Sequence, residues 1–545
     1  MKVMAAQINP TIGDLEGNTQ KILDALHRAT HAKVDIVLFP ELALSGYPPE
    51  DLLLDETFIA AALGALPVIA PLTRGLFVAV GLPRRNPSKV EKPLYNSAAI
   101  FADGNLLGFQ NKTLLPTYDV FDERRFFEPG ENSQPLWHYL GWKIGVTICE
   151  DLWQHADAVG YTRYTSDPVL ALQEERPDLL LNLSSSPYYF ERKDLRLSVV
   201  QAAARDLACP VILCNQVGAN DELVFDGHSL FVNEKGELIQ VAKGFAEDDL
   251  IVDLAIHACA CSLPENGIKD LYAALVLGVR DYFRKQGFEK AILGLSGGVD
   301  SSLTACIAVE ALGAANVSAL SLPTRYSSPG SISDAQALAH NLGIALRKID
   351  IDPLFQDYLN LLEPMFEKRP HDITEENLQS RIRAMVLMAF SNKFGAILLT
   401  TGNKSELAMG YTTLYGDMAG GLAVLHDVTK LRVYELARYA NRSGQVIPPS
   451  VLKKPPSAEL KPDQKTTDAI HPFNILDPVI EDYIEKLLPP EEIAEKRNLP
   501  LAFVRDLVHR IHLAEYKRRQ APISIRVTEK AFSKGRNVPI VQKWM

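Results

Sequence analysis

The 545-residue chain holds six cysteines and no C-x-x-C pair. That excludes a disulfide framework and paired-thiol zinc sites, and predicts the reduced thiols of a cytoplasmic protein. Cys259 and Cys261 form the only close pair, and two thiols alone make a poor metal site. Five of the six read as small apolar packing residues. No apolar run is long enough to cross a bilayer, and Met1-Lys2-Val3-Met4-Ala5-Ala6-Gln7-Ile8 reads as a first strand, not as a signal peptide. Basic residues are in deficit, 56 against 67 acidic ones, for a net charge of −11. This argues against a nucleic-acid-coating surface but leaves room for a basic pocket around a small anion. Neither nucleic acid nor membrane is an expected partner. The G-x-x-x-x-G-K-[ST] phosphate loop is missing, and there are no internal repeats. What is present, 47% hydrophobic and 23% charged residues, describes a globular protein too long for one ordinary core.

Two domains and a linker are visible. Residues 1–255 carry short β-like runs at Asp35 to Phe39, Leu76 to Gly81, Ser97 to Ala102, Lys143 to Cys149, Leu179 to Leu183 and Val211 to Cys214, with a helix from about Asn18 to Ala29. That pattern predicts an α/β sandwich. Hydrophobic periodicity lapses over 256–267, read as a linker. From Ile268 to the C-terminus, helix and strand alternate more regularly. Strands are expected at Ile292 to Leu295, Val317 to Leu322, Leu346 to Ile351 and Ala396 to Thr400, and a helix at Ser333 to Gly343 with Gly343 as its cap. This is the plan of a doubly wound parallel sheet, whose ligands sit at the carboxyl ends of strands. Ser296 and Thr401 both fall there. The proline-rich, charged stretch Lys453 to Lys465 reads as a loop or a lid over the nucleotide.

The most telling stretch is Ser296-Gly297-Gly298-Val299-Asp300-Ser301-Ser302, after the apolar run Ala291 to Leu295 and before a helical pattern with Val299, Leu303, Cys306 and Ile307 on one face. Glycines let backbone N–H groups approach an anion, and the helix N-terminus adds positive potential. Asp300 supplies a carboxylate for a magnesium ion on the same phosphates. S-G-G-x-D-S resembles the pyrophosphate loop of ATP pyrophosphatases, which implies cleavage of ATP to AMP and pyrophosphate.

Three N-terminal segments carry further chemistry. Asp35 to Glu41 ends a hydrophobic strand with an acid, Asn111-Lys112-Thr113 is followed by Tyr118 and Phe121-Asp122-Glu123, and Lys143 to Asp151 ends a strand with Cys149. Together they resemble the nitrilase, or carbon–nitrogen hydrolase, superfamily and imply an α-β-β-α sandwich. The implied catalytic set is Glu41, Lys112 and Cys149. The thiolate attacks an amide carbon, Glu41 takes its proton, and Lys112 with the Glu150 N–H stabilises the oxyanion. Glu123 positions Lys112. Tyr118, Ser186 and Arg192 are the implied glutamine-binding residues, with Arg192 paired to the α-carboxylate.

The C-terminal half adds Thr374 to Arg383 at a helix start, where Asn377 and Arg381 lie four apart and share a face. It also adds Leu398 to Glu406, Tyr415 to Lys430, and Lys454-Pro455-Pro456-Ser457-Ala458-Glu459-Leu460. With the pyrophosphate loop these resemble the NAD synthetases, in the bacterial form fused behind a nitrilase-type glutaminase. The resemblance implies a Rossmann-like synthetase domain. It assigns Ser296, Gly297, Gly298, Val299, Asp300, Ser301, Ser302, Thr401, Lys430 and Ser457 to ATP, and Asn377, Arg381, Glu406 and Asp417 to deamido-NAD. Mg²⁺ would sit on Asp300 and Glu406, with ATP as co-substrate and a homo-oligomer as the assembly. Ammonia-dependent relatives often carry Thr at the Ser457 position, and either hydroxyl can donate to a phosphate.

The implied reaction is the final step of NAD biosynthesis. ATP converts the nicotinate carboxylate to an acyl-adenylate, and ammonia from glutamine displaces AMP. Ammonia is mostly protonated in neutral water, so an internal path from Cys149 to the adenylate is expected. GMP-type and asparagine-type synthetases pair such loops with unrelated glutaminases, and no cysteine follows Met1 to serve as an N-terminal nucleophile. A non-catalytic sensing or assembly protein on these folds is the reading of a different class, and both motif sets argue against it.

Overall fold

The computed structural model describes all residues except 89–90, 133–134, 156–163, 257–258, 463, 465–469 and 545. Its contacts divide the chain into two units, Met1–Gly267 and Ile268–Met545.

In the first unit two six-stranded sheets pack face to face. One is ordered Asp248–Asp253, Lys2–Gln7, Ile36–Leu38, Phe77–Arg85, Leu94–Ala102, Asn105–Asn111. The other is ordered Leu238–Val241, Leu230–Val232, Val211–Asn215, Leu179–Ser184, Trp142–Ile148, Trp137–Tyr139. The central strands of each are parallel and the flanking ones antiparallel. The core between them holds Ala5, Leu38, Phe77 and Ile100 from one sheet and Val146, Leu181 and Ile212 from the other. Helices close the outer faces. Leu15–Ala32 sets Ile22 and Leu26 against Met4, Val37 and Val78. Arg192–Leu207 sets Val199 and Ala203 against Leu180, Val211 and Leu213. A strand covered on both faces needs apolar side chains at every position. Leu179–Ser184 reads L-L-L-N-L-S with no exposed residue, apolar but for Asn182, which donates to Thr147 Oγ1 at 3.0 Å, and Ser184 at its end.

The second unit is built on a five-stranded, all-parallel sheet ordered Ala345–Lys348, Val317–Ser321, Lys290–Gly294, Ala396–Thr400, Leu422–Ala423. The strand order reverses between Lys290–Gly294 and Ala396–Thr400, and the cleft at such a reversal is where doubly wound sheets bind ligands. A helical cluster, Phe473–Ile480, Pro490–Arg497 and Leu501–Leu513, packs on Ala408 and Met409.

Several expectations shift. Cys149 lies beyond its strand, as the first residue of a 3₁₀ turn, Cys149–Leu152. The helix expected at Ser333 begins earlier, at Pro329, because Ser328 caps it and accepts from the Ser331 N–H. Gly343 ends it in the left-handed conformation, as predicted. The strand expected over Leu346 to Ile351 is shorter, Ala345–Lys348. Cys259 and Cys261 are exposed and not packed, whereas Cys209, Cys214 and Cys306 are buried. Residues 257–258 of the linker, and 463 and 465 of the lid segment, lie outside the described residues. The stretch Glu56–Thr73 is long and apolar enough to match a membrane span by composition. It is broken into three helical pieces, and Ile59, Ala62, Leu66 and Ile69 face inward.

Candidate active sites

In the first unit Glu41, Lys112 and Glu123 form one buried ionic cluster. The Lys112 ammonium donates to Glu41 Oε1 at 2.7 Å and to Glu123 Oε1 at 2.8 Å, and none of the three side chains is more than 6% exposed. Asn96 Nδ2 also donates to Glu41 Oε1 at 2.7 Å, Tyr47 Oη donates to Glu123 Oε1 at 2.9 Å, and the Ser185 N–H donates to Glu41 Oε2 at 3.2 Å. Burial pushes Glu123 up to about 7 against the pull of the Lys112 charge. Burial also opposes the charge on Lys112, but Glu123 and Glu41 overcome it and hold the amine well above its usual value. A cation this deep survives only with such partners, since removing one would leave buried charge unpaired.

Cys149 sits close enough to feel both charges. Burial and the Glu41 carboxylate push its thiol up, while Lys112 and Ser184 pull the other way. Ionisation requires a proton acceptor, and Glu41 is the carboxylate that acts on it most strongly. The Cys149 φ of +44° is left-handed, uncommon for a residue with a Cβ, and places it on a sharp turn between strand and 3₁₀ helix.

The residues expected to bind an amino-acid substrate are distributed as follows. Tyr118 Oη donates to Glu150 at 2.9 and 3.1 Å, and Tyr164 Oη donates to the same carboxylate at 3.0 Å. Arg192 opens the helix Arg192–Leu207, donates to Tyr189 Oη at 2.8 Å and lies 3.8 Å from the Trp153 ring centre. Among the described residues its Nε and the Ser186 hydroxyl are buried without a hydrogen-bond partner, unspent capacity in a polar site. Tyr164, Asn96, Tyr47 and Ser185 were not singled out from sequence. Glu150 was, but only for its backbone N–H, and the bonds its carboxylate accepts from Tyr118 and Tyr164 were not foreseen.

In the second unit the sheet reversal opens a cavity of about 350 Å³. Ser296, Gly297, Gly298, Val299, Asp300 and Ser301 line it, with Thr401, Glu406, Asp417, Lys430, Asn377 and Ser457. Gly297 has φ +79°, and a Cβ there would stand 2.2 Å from the Ser331 carbonyl oxygen, so only glycine fits. The loop is held by its own hydroxyls. Ser296 Oγ lies 3.1 Å from Ser301 Oγ, and the Gly298 N–H donates to Ser296 Oγ at 3.3 Å.

Asp300 accepts from Asn403 Nδ2 at 3.0 Å and pairs with the Lys430 ammonium. Burial, with the neighbouring Asp300 charge, pushes the Glu406 carboxyl up to about 8. Two acids that repel each other in a buried pocket are suited to a shared cation. Among the described residues no cluster of three or more His, Cys, Asp or Glu side chains is arranged for a metal. A pair of carboxylates fits a magnesium ion that takes its remaining ligands from phosphate and water.

Two expected ligands do not line this cavity. The Ser302 hydroxyl turns back to the Gly298 carbonyl at 2.7 Å, and Arg381 Nε donates to the Leu414 carbonyl at 3.2 Å. The stripe of helix Ile373–Phe394 that faces the cavity is Glu376, Asn377, Ser380, Arg383, Ala384 and Leu387. Asn377 is at its edge, so a residue four further on rotates about 40° past it. Arg383 faces inward instead, and burial lowers its guanidinium to about 10 with only Glu459 as a compensating charge. Lys454 and Lys517 also line the cavity, and none of these three cations was given a role from the sequence.

Comparison with known proteins agrees with this division. Residues 2–260 match the carbon-nitrogen hydrolase family and residues 271–521 the NAD synthase family. The chain is 45% identical to a glutamine-dependent NAD(+) synthetase of Synechocystis sp., over 99% of this chain and 98% of that one. It is 42% identical to that of Thermotoga maritima, over 100% and 99%. Among solved structures it resembles the glutamine-dependent NAD+ synthetase of Acinetobacter baumannii in complex with adenosine diphosphate, at TM-score 0.78, 37% identity, and coverage of 100% and 99%.

Proposed function

The chain belongs to the glutamine-dependent NAD(+) synthetases, and on that premise we propose how its residues divide the work. Cys149 is the nucleophile that takes the amide carbon of glutamine, Glu41 receives its proton, and Lys112 faces the developing oxyanion. The buried ionic cluster of Lys112, Glu41 and Glu123, whose Glu41 and Lys112 charges act on the Cys149 thiol, is the observation that supports this half. Attack forms a thioester to Cys149 and expels ammonia, whose third proton comes from Glu41. Water then releases glutamate. Tyr118, Ser186 and Arg192 bind the amino-acid end. The free polar capacity of Ser186 and Arg192 supports that role.

In the second unit Ser296 to Ser301 cradle the phosphates of ATP, with Thr401, Lys430 and Ser457 around them. Asn377, Glu406 and Asp417 address deamido-NAD, and Arg383 is added as a cation for either nucleotide's phosphates. Asp300 and Glu406 would hold Mg²⁺, which neutralises phosphate charge when bound. The carboxylate oxygen attacks the α-phosphorus and pyrophosphate leaves. Ammonia attacks the acyl carbon, and AMP departs with the former carboxylate oxygen. Burial opposes the charge on Lys430, and Asp300 and Glu406 overcome it and hold the amine above its usual value. The domains are assigned as glutaminase, 1–255, and synthetase, 268–545, joined by 256–267.

Incubation with ATP, Mg²⁺, deamido-NAD and glutamine tests the scheme by product accounting. NAD, AMP and pyrophosphate should appear in equal amounts, with at least as much glutamate. ADP in place of AMP would exclude the proposed cleavage.

A further inference from the structure

One buried side chain outside the ionic cluster joins the two catalytic segments of the first unit. The Asp151 carboxylate is 2% exposed. Its Oδ1 accepts from the Thr113 N–H at 3.0 Å and the Leu114 N–H at 2.8 Å, and its Oδ2 accepts from the Ile148 N–H at 2.9 Å. Thr113 and Leu114 directly follow Lys112, and Ile148 directly precedes Cys149. Among the described residues no side-chain cation is bonded to Asp151, and its three donors are backbone amides on the two segments that must meet.

We propose that Asp151 is a positioning residue for the glutaminase reaction: its carboxylate clamps the Lys112 segment to the Cys149 turn and so sets thiol against ammonium. The inference rests on Cys149 being the nucleophile. Two features make the clamp specific to catalysis. Cys149 is held at φ +44°, a conformation that persists only where the surroundings over-determine it, and the bond to Ile148 fixes the residue before it. Further, three donors on two oxygens require acceptor capacity on both, which a carboxylate has and an amide lacks. Burial raises this carboxyl to about 7, and the Leu114, Ile148 and Thr113 N–H groups act against the rise, as expected if the charged form is the one they bind.

Asp151→Asn tests this in the full-length enzyme. The amide keeps the shape but turns an NH₂ group toward at least one N–H, so that one segment loses its anchor. Displacements of this size cost roughly ten- to a hundred-fold in rate. We expect kcat for glutamine-driven NAD formation to fall by about ten-fold or more, with KM for glutamine within about three-fold of the parent. Alkylation of Cys149 by iodoacetamide should slow in parallel, while ammonia-driven synthesis is kept. Parent-like kcat and alkylation would overturn the proposal. So would a loss confined to the thermal midpoint, or equal loss of ammonia-driven synthesis, since either marks a purely structural role. If the asparagine variant is insoluble, Asp151→Ser is read by the same criteria. Cys149→Ala, run beside it, separates the two failures. If that variant still uses glutamine, the nucleophile assignment is wrong. If it does not, and Asp151→Asn behaves as parent, only the clamp is wrong.

Discussion

Cys149→Ala is expected to lower glutamine-driven NAD formation by about a thousand-fold or more while ammonium-driven formation proceeds at the parent rate. The asymmetry follows from where the residue sits. The thiol is on the turn after Trp142–Ile148, where the Glu41 and Lys112 charges act on it, within the sandwich of Met1–Gly267. No other cysteine of this unit substitutes for it. Cys209 lies in an apolar cluster, Cys214 is buried with its Sγ against the Ala6 carbonyl, and Cys259 and Cys261 are exposed. Alanine is smaller and neutral, so Lys112 keeps both carboxylate partners and the fold should be unaffected. Steady-state rates with glutamine, then with ammonium chloride near pH 8.5, check the outcome. Equal loss with both nitrogen donors would show that the chemistry is not divided as described.

Asp300→Ala carries the complementary expectation: loss of about a thousand-fold with either nitrogen donor. Asp300 anchors Asn403 and the Lys430 ammonium and contributes half of the carboxylate pair with Glu406. On the proposed assignment its removal would deprive magnesium of a ligand, and it would leave the Lys430 ammonium without its Asp300 partner. Alkylation of Cys149 should be unchanged, because the thiol's surroundings lie in the other unit. A loss smaller than about ten-fold would mean that neither metal nor lysine depends on Asp300.

These two residues were legible in the sequence for a physical reason. Each follows a buried apolar strand, Cys149 opening the turn after Trp142–Ile148 and Asp300 lying in the first turn of helix Val299–Leu312 beyond Lys290–Gly294, where the chain has left regular pairing and little but chemistry constrains residue type. The pyrophosphate loop was legible because Gly297 has a backbone that only glycine adopts there. Asn377 lines the cavity, and Arg381, four residues further on, does not. Four residues is near one helical turn yet not equal to it, and the error falls at the edge of a stripe, where it decides which side a residue faces. Ser302 was read as part of a phosphate-binding run, but one turn into a helix its hydroxyl finds the Gly298 carbonyl first. Tyr47, Asn96, Ser185 and Tyr164 had no signal, since they reach the sites only through folding. The Asp151 clamp is of the same kind, with donors 38, 37 and 3 residues away in sequence.

The account turns on the carboxylate of deamido-NAD being activated at the α-phosphorus of ATP, and oxygen transfer reports on that step directly. With deamido-NAD carrying ¹⁸O in its nicotinate carboxylate, each NAD formed should leave one ¹⁸O in the phosphoryl group of AMP, detected by mass spectrometry. Unlabelled AMP alongside labelled pyrophosphate or phosphate would contradict the acyl-adenylate, and with it the role given to the Ser296 loop.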